Sequence, residues 1–521
     1  MKLEDRIDKF IAFFSPRRAL KRRMYREALM IANRFSAFKG ADRSRLRSSW
    51  LPGPSSADEA ILPALSDLRE RSRDLNRNDA HASGITLTMT TNVVGTGIRP
   101  QSRLDKETLS IGEEEANLFQ KKAERAFKRW IPFADAENRM DFYEIQNLID
   151  RQILENGEAV IIPLMLEDGI RPYSFALQVV ESDRLATPPD KRGDKQIRSG
   201  VKLGERGEPV SYFIQKNHPG DIRFGKKDKK DFQEIAAYNE YGRKNIFHLY
   251  HVSRSGQTRG VPFFSPVLTY FKDLSEYAEA ELVAARIAAC FSLFITSEAS
   301  IDVGTGNLFE RNSKDQAIEG LEPGMIKHLL PGESITSFNP QRPSATFEPF
   351  VDRILRAISA ALGLPYELVA KDFSKTNYSS ARAALLEARR YFKVRQEWLS
   401  RKFCQIVWEM LLEEAYLKGE LGNIPFYDNP KDYTSASWIA PGWEWVDPLK
   451  EAQAFEVGLK NNIITHSDIY ASQGKDWEEA FYQRQRERTL QKDLGIEEEE
   501  KDEEKSKTKA EDEEIEAKRE E

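Results

Sequence analysis

The sequence predicts an α+β chain of several domains, and three observations carry that prediction. At 521 residues the chain is long enough for more than one hydrophobic core. Strand-like runs between Ala159 and Tyr250 are flanked on both sides by segments of helical period. Between Thr346 and about Leu421, a helix, a sharp break, a polar loop and a very long helix follow one another. That last arrangement has the character of architecture rather than of a pocket.

Taken in order, residues 1–50 form a basic arm. From Ser15 to Trp50 there are 11 bases against 2 acids, and Leu20, Met24, Ala28, Leu29 and Ala32 share one helical face. Such an arm suits contact with a DNA backbone or a shell protein; a solvated surface is the competing reading. A short helix of alternating charge follows between Ile61 and Asn78. Gly95 and Gly97 lack the third glycine and the lysine of a phosphate-binding loop and predict a tight turn instead. Asp105 to Trp130 reads as one charged helix with Phe119, Ala123, Ala126 and Trp130 on its apolar face, and Phe142 to about Asn156 as another.

Strands are predicted at Ala159–Leu164, Phe175–Val180 and Ile246–Tyr250, with a hairpin of Gly200–Leu203 and Pro209–Ile214 turning at Gly204–Gly207. The acids Glu155, Glu158, Glu181 and Asp183 in this region raise an alternative function, a carboxylate-dependent hydrolase. It predicts a monomer or dimer whose activity is lost on a Glu→Gln change. No accompanying motif supports it.

A helix is predicted from Pro266 to about Ile295, with Leu268, Phe271, Leu274, Ala278, Leu282, Ala285 and Ala289 as its stripe and six alanines slimming its second half. An Ala-rich core helix and a closely packed member of a helical ring both fit it. The pattern then loosens into turns and short strands. Phe347, Phe350, Val351, Ile354, Leu355, Ile358 and Leu362 mark the next helix, which Gly363-Leu364-Pro365 stops. Ser380 is the expected cap of a helix running unbroken to Lys418, about 38 residues and roughly 57 Å. Later, Lys450–Lys460 and Ser467 to about Leu494 read as helices, with Ser467 as a cap. Gln491 to Glu521 carries 15 acids against 7 bases, so a formal charge of −6 for the whole chain conceals a remainder that is slightly positive.

Several classes are excluded by expectation. No run of 18 apolar residues exists, so no membrane span is predicted, and Met1 to Phe10 carries acids and is a poor secretory signal. Cys290 and Cys404 sit in apolar helical contexts as packed thiols. His248 and His251 bracket Leu249 and Tyr250 without a Cys or carboxylate cluster, so no metal or cofactor is expected. No Walker lysine motif appears, which leaves no ATPase.

The ordered series of short motifs resembles the lambda-type family of tailed-phage portal proteins. It comprises Trp50 with Ser56-Ala57-Asp58, Leu68-Arg69 through Arg77-Asn78, Val94 to Ile98, Glu181 to Leu185 with the Gly200 hairpin, Ser255 to Leu268, Phe338 to Pro343, Ile358 to Leu368, Lys371 to Arg382, and Trp438 to Ala452. The resemblance runs from about Lys21 to Leu494. It implies a portal fold: residues 51–264 an α/β wing, 265–297 the first stem helix, 298–345 a small clip, 346–363 the second stem helix and 364–380 the channel loop. Residues 381–421 would be the long helix linking wing and crown, 422–494 the C-terminal wing and helical crown, and 495–521 a disordered acidic tail.

The resemblance further implies a ring of twelve subunits at one capsid vertex of a virion, assembled in the host cytoplasm and passing double-stranded DNA without sequence readout. Its partners would be the terminase large subunit, head–tail adaptors, and the major capsid and scaffolding proteins; no membrane, cofactor or catalysis is expected. The candidate DNA-facing residues are Lys371 and Lys375 in the loop and Arg353 and Arg356 on the second stem helix, repeated as rings that guide the duplex. Ion pairing with Asp352, Asp372 or neighbouring subunits is the competing role. Asp372, Phe373, Ser374, Asn377 and Tyr378 complete the loop, with Phe373 and Tyr378 as anchors rather than base stackers.

Overall fold

A computed structural model describes residues 53–221, 231–289, 347–443 and 448–494, with short strand segments between 293 and 337 and scattered positions between 11 and 25. The chain divides into two compact units, residues 1–60 and 61–521. In the first, the described positions around Leu20 and Met24 are helical and both side chains are exposed. Ala28, Leu29, Ala32 and the second half of the basic arm lie outside the described residues.

The second unit opens with helices α1 (Leu65–Asn78) and α2 (Ala80–Val93). Asp79 ends one and caps the other, accepting from the Ala82 N–H at 2.9 Å. The expected tight turn follows. Gly95 and Gly97 both have positive φ, and a β-carbon on Gly97 would fall 2.2 Å from the Tyr143 ring. Strand β1 (Arg99–Ser102) leaves this turn and pairs antiparallel with Ala436–Ile439.

The helix expected over 105–130 is broken. Asp105 caps a single turn, Lys106–Leu109, which Ser110 closes in a left-handed conformation. Helix α3 (Glu113–Trp130) restarts after Gly112. Phe119, Ala123, Ala126 and Trp130 are all buried on it. Helix α4 (Phe142–Asn156) begins at a reciprocal capping box of Asp141 and Glu144 and ends at Gly157, φ 86°.

Strand β2 (Glu158–Met165) is the middle of a three-stranded antiparallel sheet with β3 (Phe175–Val180) and β8 (Phe247–Tyr250). Its side chains alternate between two cores. Ala159 and Ile161 join the main core, while Val160 and Ile162 join a smaller one with Val201, Tyr212 and Ile214. A strand covered on both faces reads as an unbroken apolar run, which is what Ala159 to Ile162 shows. The smaller core is shared with a second antiparallel sheet of β4 (Ile197–Arg198), β5 (Val201–Leu203), β6 (Pro209–Gln215) and β7 (Phe232–Ala236). The expected hairpin is β5–β6.

Helix α5 (Leu268–Ala289) is shorter than expected. Leu293–Ser297 is strand β9 instead, in keeping with the β-preferring Phe294, Ile295 and Thr296. It pairs antiparallel with β12 (Glu333–Ser337), and β10 (Glu310–Arg311) pairs with β11 (Ala317–Ile318) between them in sequence. The remainder of 298–345 lies outside the described residues, as do Cys290 and the tail from 495.

Helix α6 (Phe347–Leu362) stops at Gly363, φ 67°, where the Leu364 N–H bonds back to the Ser359 carbonyl at 3.1 Å. A short helix α7 (Tyr366–Ala370) lies inside the expected loop. The long rod runs as α8 (Tyr378–Leu399), a π-helical turn over Ser400–Cys404 and α9 (Gln405–Leu417). Its cap is Asn377, not Ser380, whose N–H the Asn377 side chain accepts at 2.8 Å. The rod is exposed at its first residues, Tyr378 to Ser380, partly covered from Ala381 and buried from Ala388 onward, with Phe392, Leu399, Phe403, Trp408 and Leu412 in the main core. The π turn re-phases that buried face by one residue.

Strand β13 (Ala436–Ile439) leads to helices α10 (Pro448–Lys460), α11 (His466–Ser472) and α12 (Trp477–Asp493). The single helix expected from Ser467 is two, parted by Gly474 at φ 71°, and the cap is Thr465 in a capping box with Asp468. The architecture is mixed α/β. Among the described residues, no helix is long and apolar enough to cross a membrane.

Candidate functional site

The loop after α6 is built by its stops. Gly363 reverses the chain, Pro365 opens α7, and Lys371 ends it in a left-handed conformation, φ 56°. Asp372 accepts the Ser374 N–H at 2.9 Å, and Asn377 starts the rod. Phe373 and Tyr378 are about half exposed, at 44% and 53%.

The four candidate cations fare differently. Lys375 Nζ lies 2.6 Å from Glu348 Oε1 and 3.1 Å from Asp352 Oδ2, both on α6. Those hydrogen bonds hold its pKa above the usual lysine range. Asp352 also accepts the Tyr366 hydroxyl at 2.9 Å, and Arg356 lies over the Tyr366 ring at 4.2 Å. Lys371 Nζ donates to Thr88 Oγ1 on α2 at 2.7 Å, tying the loop to the first helical pair. Arg353 is exposed, with no partner among the described residues. Three of the four cations therefore have an internal partner. Sequence reasoning named Asp352 as a partner but missed Glu348, Thr88 and Tyr366. Glu348 was legible in principle, since it sits one turn before Asp352 on the same helix.

Helices α5 and α6 meet through aromatic rings. Tyr277 lies 5.5 Å from Phe347 and 4.8 Å from Phe350 between centroids. Phe271 and Leu274 are buried, but farther along α5 Leu282 and Val283 are 52% and 45% exposed, and Phe350 on α6 is 47% exposed. The expected stripe is thus covered only in its first half.

The four acids of the hydrolase alternative are each engaged by a basic side chain. Glu155 is bonded to Arg151 at 2.8 Å within its own helix. Glu158 is fully buried. It accepts from Arg69 Nη2 at 2.6 Å, Arg259 Nη2 at 2.5 Å, His248 Nε2 at 2.9 Å and the Gly260 N–H at 2.8 Å. Burial works to raise its pKa, but Arg259, Arg69 and His248 outweigh it and hold the carboxyl well below the usual range. His248 is shifted down, chiefly by burial, against the pull of Glu158. Asp183 pairs with Arg73 and lies 3.9 Å from Arg69, while His218 bridges Asp183 and Glu181 at 3.3 Å each.

A carboxylate so saturated has no lone pair left for a substrate proton. The cluster also gathers the sequence motifs: Arg69 and Arg73 from α1, Ser182 and Asp183 after β3, and Gln257 to Gly260 before α5. Gly260 is pressed onto Gly157, where a β-carbon would fall 2.0 Å from the carbonyl oxygen. Among the described residues, no group of His, Cys, Asp and Glu could hold a metal ion. Cys404 is buried, and its thiol is pushed up by that burial.

The family model described as phage portal protein, lambda family, matches residues 43–396. A probable portal protein of Halomonas phage phiHAP-1 is 28% identical over 471 residues, covering 88% of this chain and 87% of that protein. The portal protein of Escherichia phage N15 is 26% identical over 480 residues, covering 86% and 88%. Portal protein B of Escherichia phage lambda is 25% identical over 478 residues, again covering 86% and 88%. Among solved structures, a chain from the neck of a native GTA particle, computed with C12 symmetry, is 14% identical at a TM-score of 0.42, covering 78% of this chain and 93% of that one.

Proposed function

This chain belongs to the lambda family of phage portal proteins, and from that premise we propose that it forms a twelve-membered ring at a single capsid vertex. Double-stranded DNA passes through the ring on packaging and again on ejection. In this reading α5 and α6 are the stem, residues 364–380 the channel loop, the two sheets the wing and the C-terminal helices the crown. The ring docks the terminase large subunit and then head–tail adaptors, and meets capsid and scaffolding proteins around its edge during assembly in the host cytoplasm. It is a conduit, and the terminase supplies the chemistry.

One observation carries this reading on the physical side. Leu282, Val283 and Phe350 are uncovered on the two stem helices of a lone subunit. A head-to-tail ring needs a heterologous interface that closes after a fixed rotation, and slim helices with uncovered apolar side chains supply one. The loop chemistry supports it too. A bore that paired tightly with phosphates would stall DNA, because each neutralised phosphate adds salt-dependent affinity. Lys375 held by Glu348 and Asp352 presents little free charge. Electron microscopy of assembled particles tests the proposal. The expected result is this chain at one vertex only, with duplex density through its centre. Density at every vertex, or a chain absent from the particle, contradicts it.

A further inference from the structure

A second charged feature lies away from the stem. Helices α3 and α12 face each other across a cavity of about 980 Å³, walled also by β1, β13 and Tyr143 of α4. Two contacts span it: Lys128 Nζ to Glu479 Oε1 at 2.8 Å, and Lys121 over the Tyr482 ring at 5.2 Å.

The acids in this cavity are already committed. Glu479 holds Lys128. Asp476 caps α12 by accepting the Glu478 and Glu479 N–H groups at 2.8 and 3.3 Å. Glu124 accepts the Ser102 N–H at 3.1 Å. Of the five bases, only Lys128 is committed, to Glu479. Among the described residues Arg99 and Lys121 meet aromatic rings and no carboxylate, Arg99 lying 5.8 Å from the centroid of Tyr143. Lys475 and Arg486 are exposed and have no partner among the described residues. Five bases against three acids leave the cavity net positive, and four of the bases have no carboxylate partner among the described residues, so a bound anion is favoured there. Arginine and lysine together are the donors that phosphate groups select, and the volume is that of a small-molecule site.

We propose that this cavity is an anion site that takes two or more phosphate groups of one ligand, held by Arg99, Lys121, Lys475 and Arg486. The phosphates come either from a DNA backbone or from a free polyphosphate. The proposal is independent of the channel reading, and either can fail alone.

The test uses the full chain at low salt with two probes, inorganic tripolyphosphate by calorimetry and a short labelled DNA duplex by anisotropy. The double variant Lys475→Glu, Arg486→Glu alters exposed side chains with no internal partners, so the fold is expected to persist. Lys475→Ala, Arg486→Ala is the milder form, and Arg488→Glu, on the same helix but off the cavity, is the control. The expected result is a loss of about tenfold or more in affinity for the double variant and none for the control. Loss for tripolyphosphate alone assigns a free polyphosphate. Loss for the duplex, with or without tripolyphosphate, assigns a nucleic-acid backbone. Unchanged affinity for both probes, or no binding of either by the parent chain, overturns the site.

Discussion

Two ion clusters in this protein use the same side-chain chemistry and sit at opposite extremes of burial. Around Glu158, two arginines, a histidine and a backbone N–H from three distant segments fill one carboxylate in a dry interior. Around Lys375, two carboxylates of α6 hold one ammonium whose side chain is 54% exposed. The first cannot rearrange without leaving buried charge unpaired. The second exchanges partners with water and salt at little cost. Burial, not residue type, separates charge that fixes a fold from charge available to a passing ligand.

The largest effect should come from breaking the dry cluster. Glu158→Ala leaves Arg259 buried without its carboxylate and Arg69 with only the more distant Asp183, and is expected to cost about 3–5 kcal/mol, read as a lower denaturation midpoint. The pH dependence has a definite sign. The Glu158 carboxyl is depressed in the folded state, so its contribution is full above the unfolded carboxylate range and is lost as pH falls through the lower folded value. Acid unfolding of the parent chain should therefore be steeper than that of the variant.

Glu124 sharpens the comparison because it runs the other way. Burial raises its carboxyl from 4.5 to about 7, against the Ser102 N–H and with the help of Asp476. The folded state keeps its proton longer than the unfolded state. Stability consequently falls as pH rises from about 4.5 to about 7 and is level above. Glu124→Gln should stabilise by about 2 kcal/mol at pH 8, allowing for solvent screening, and by nothing at pH 4. Thermal melts at both values check it.

The wet cluster should answer in binding rather than stability. Glu348→Gln with Asp352→Asn frees Lys375, so duplex affinity should rise and the salt slope steepen by about one unit for each ammonium that reaches a phosphate. A salt titration of duplex binding reads this out. The smallest effect belongs to Lys375→Ala, for which the melting temperature should not move. A clear drop there would place the loop among the structural charges.

The sequence made the helical break at Gly363, the α4 helix, strands β2, β3 and β8 and the β5–β6 hairpin legible, because periodicity and turn residues are local signals; the short strands β1, β4, β7 and β13 carried no such signal. It misjudged ends. Asn377 and Thr465 took the caps expected of Ser380 and Ser467, since several polar residues competed within one turn. It joined helices that Ser110 and Gly474 divide, and it ran α5 into the β-preferring 293–297 segment. The order of the motifs pointed to the family, but not to why they belong together. Only the fold brings Arg69, Asp183 and Arg259 to Glu158, across separations in sequence of up to 101 residues. The pairing of Lys375 with Asp352 stood among the expected alternatives, whereas the contact of Lys371 with Thr88 carried no sequence signal.

The mass and symmetry of the purified full chain test the central claim most directly, by native mass spectrometry with negative-stain images. The account predicts a closed ring with a central hole and a mass of about 720 kDa, twelve copies of a 59.8 kDa chain. A stable 59.8 kDa monomer at assembly concentrations, with the stem helices still uncovered, would contradict it.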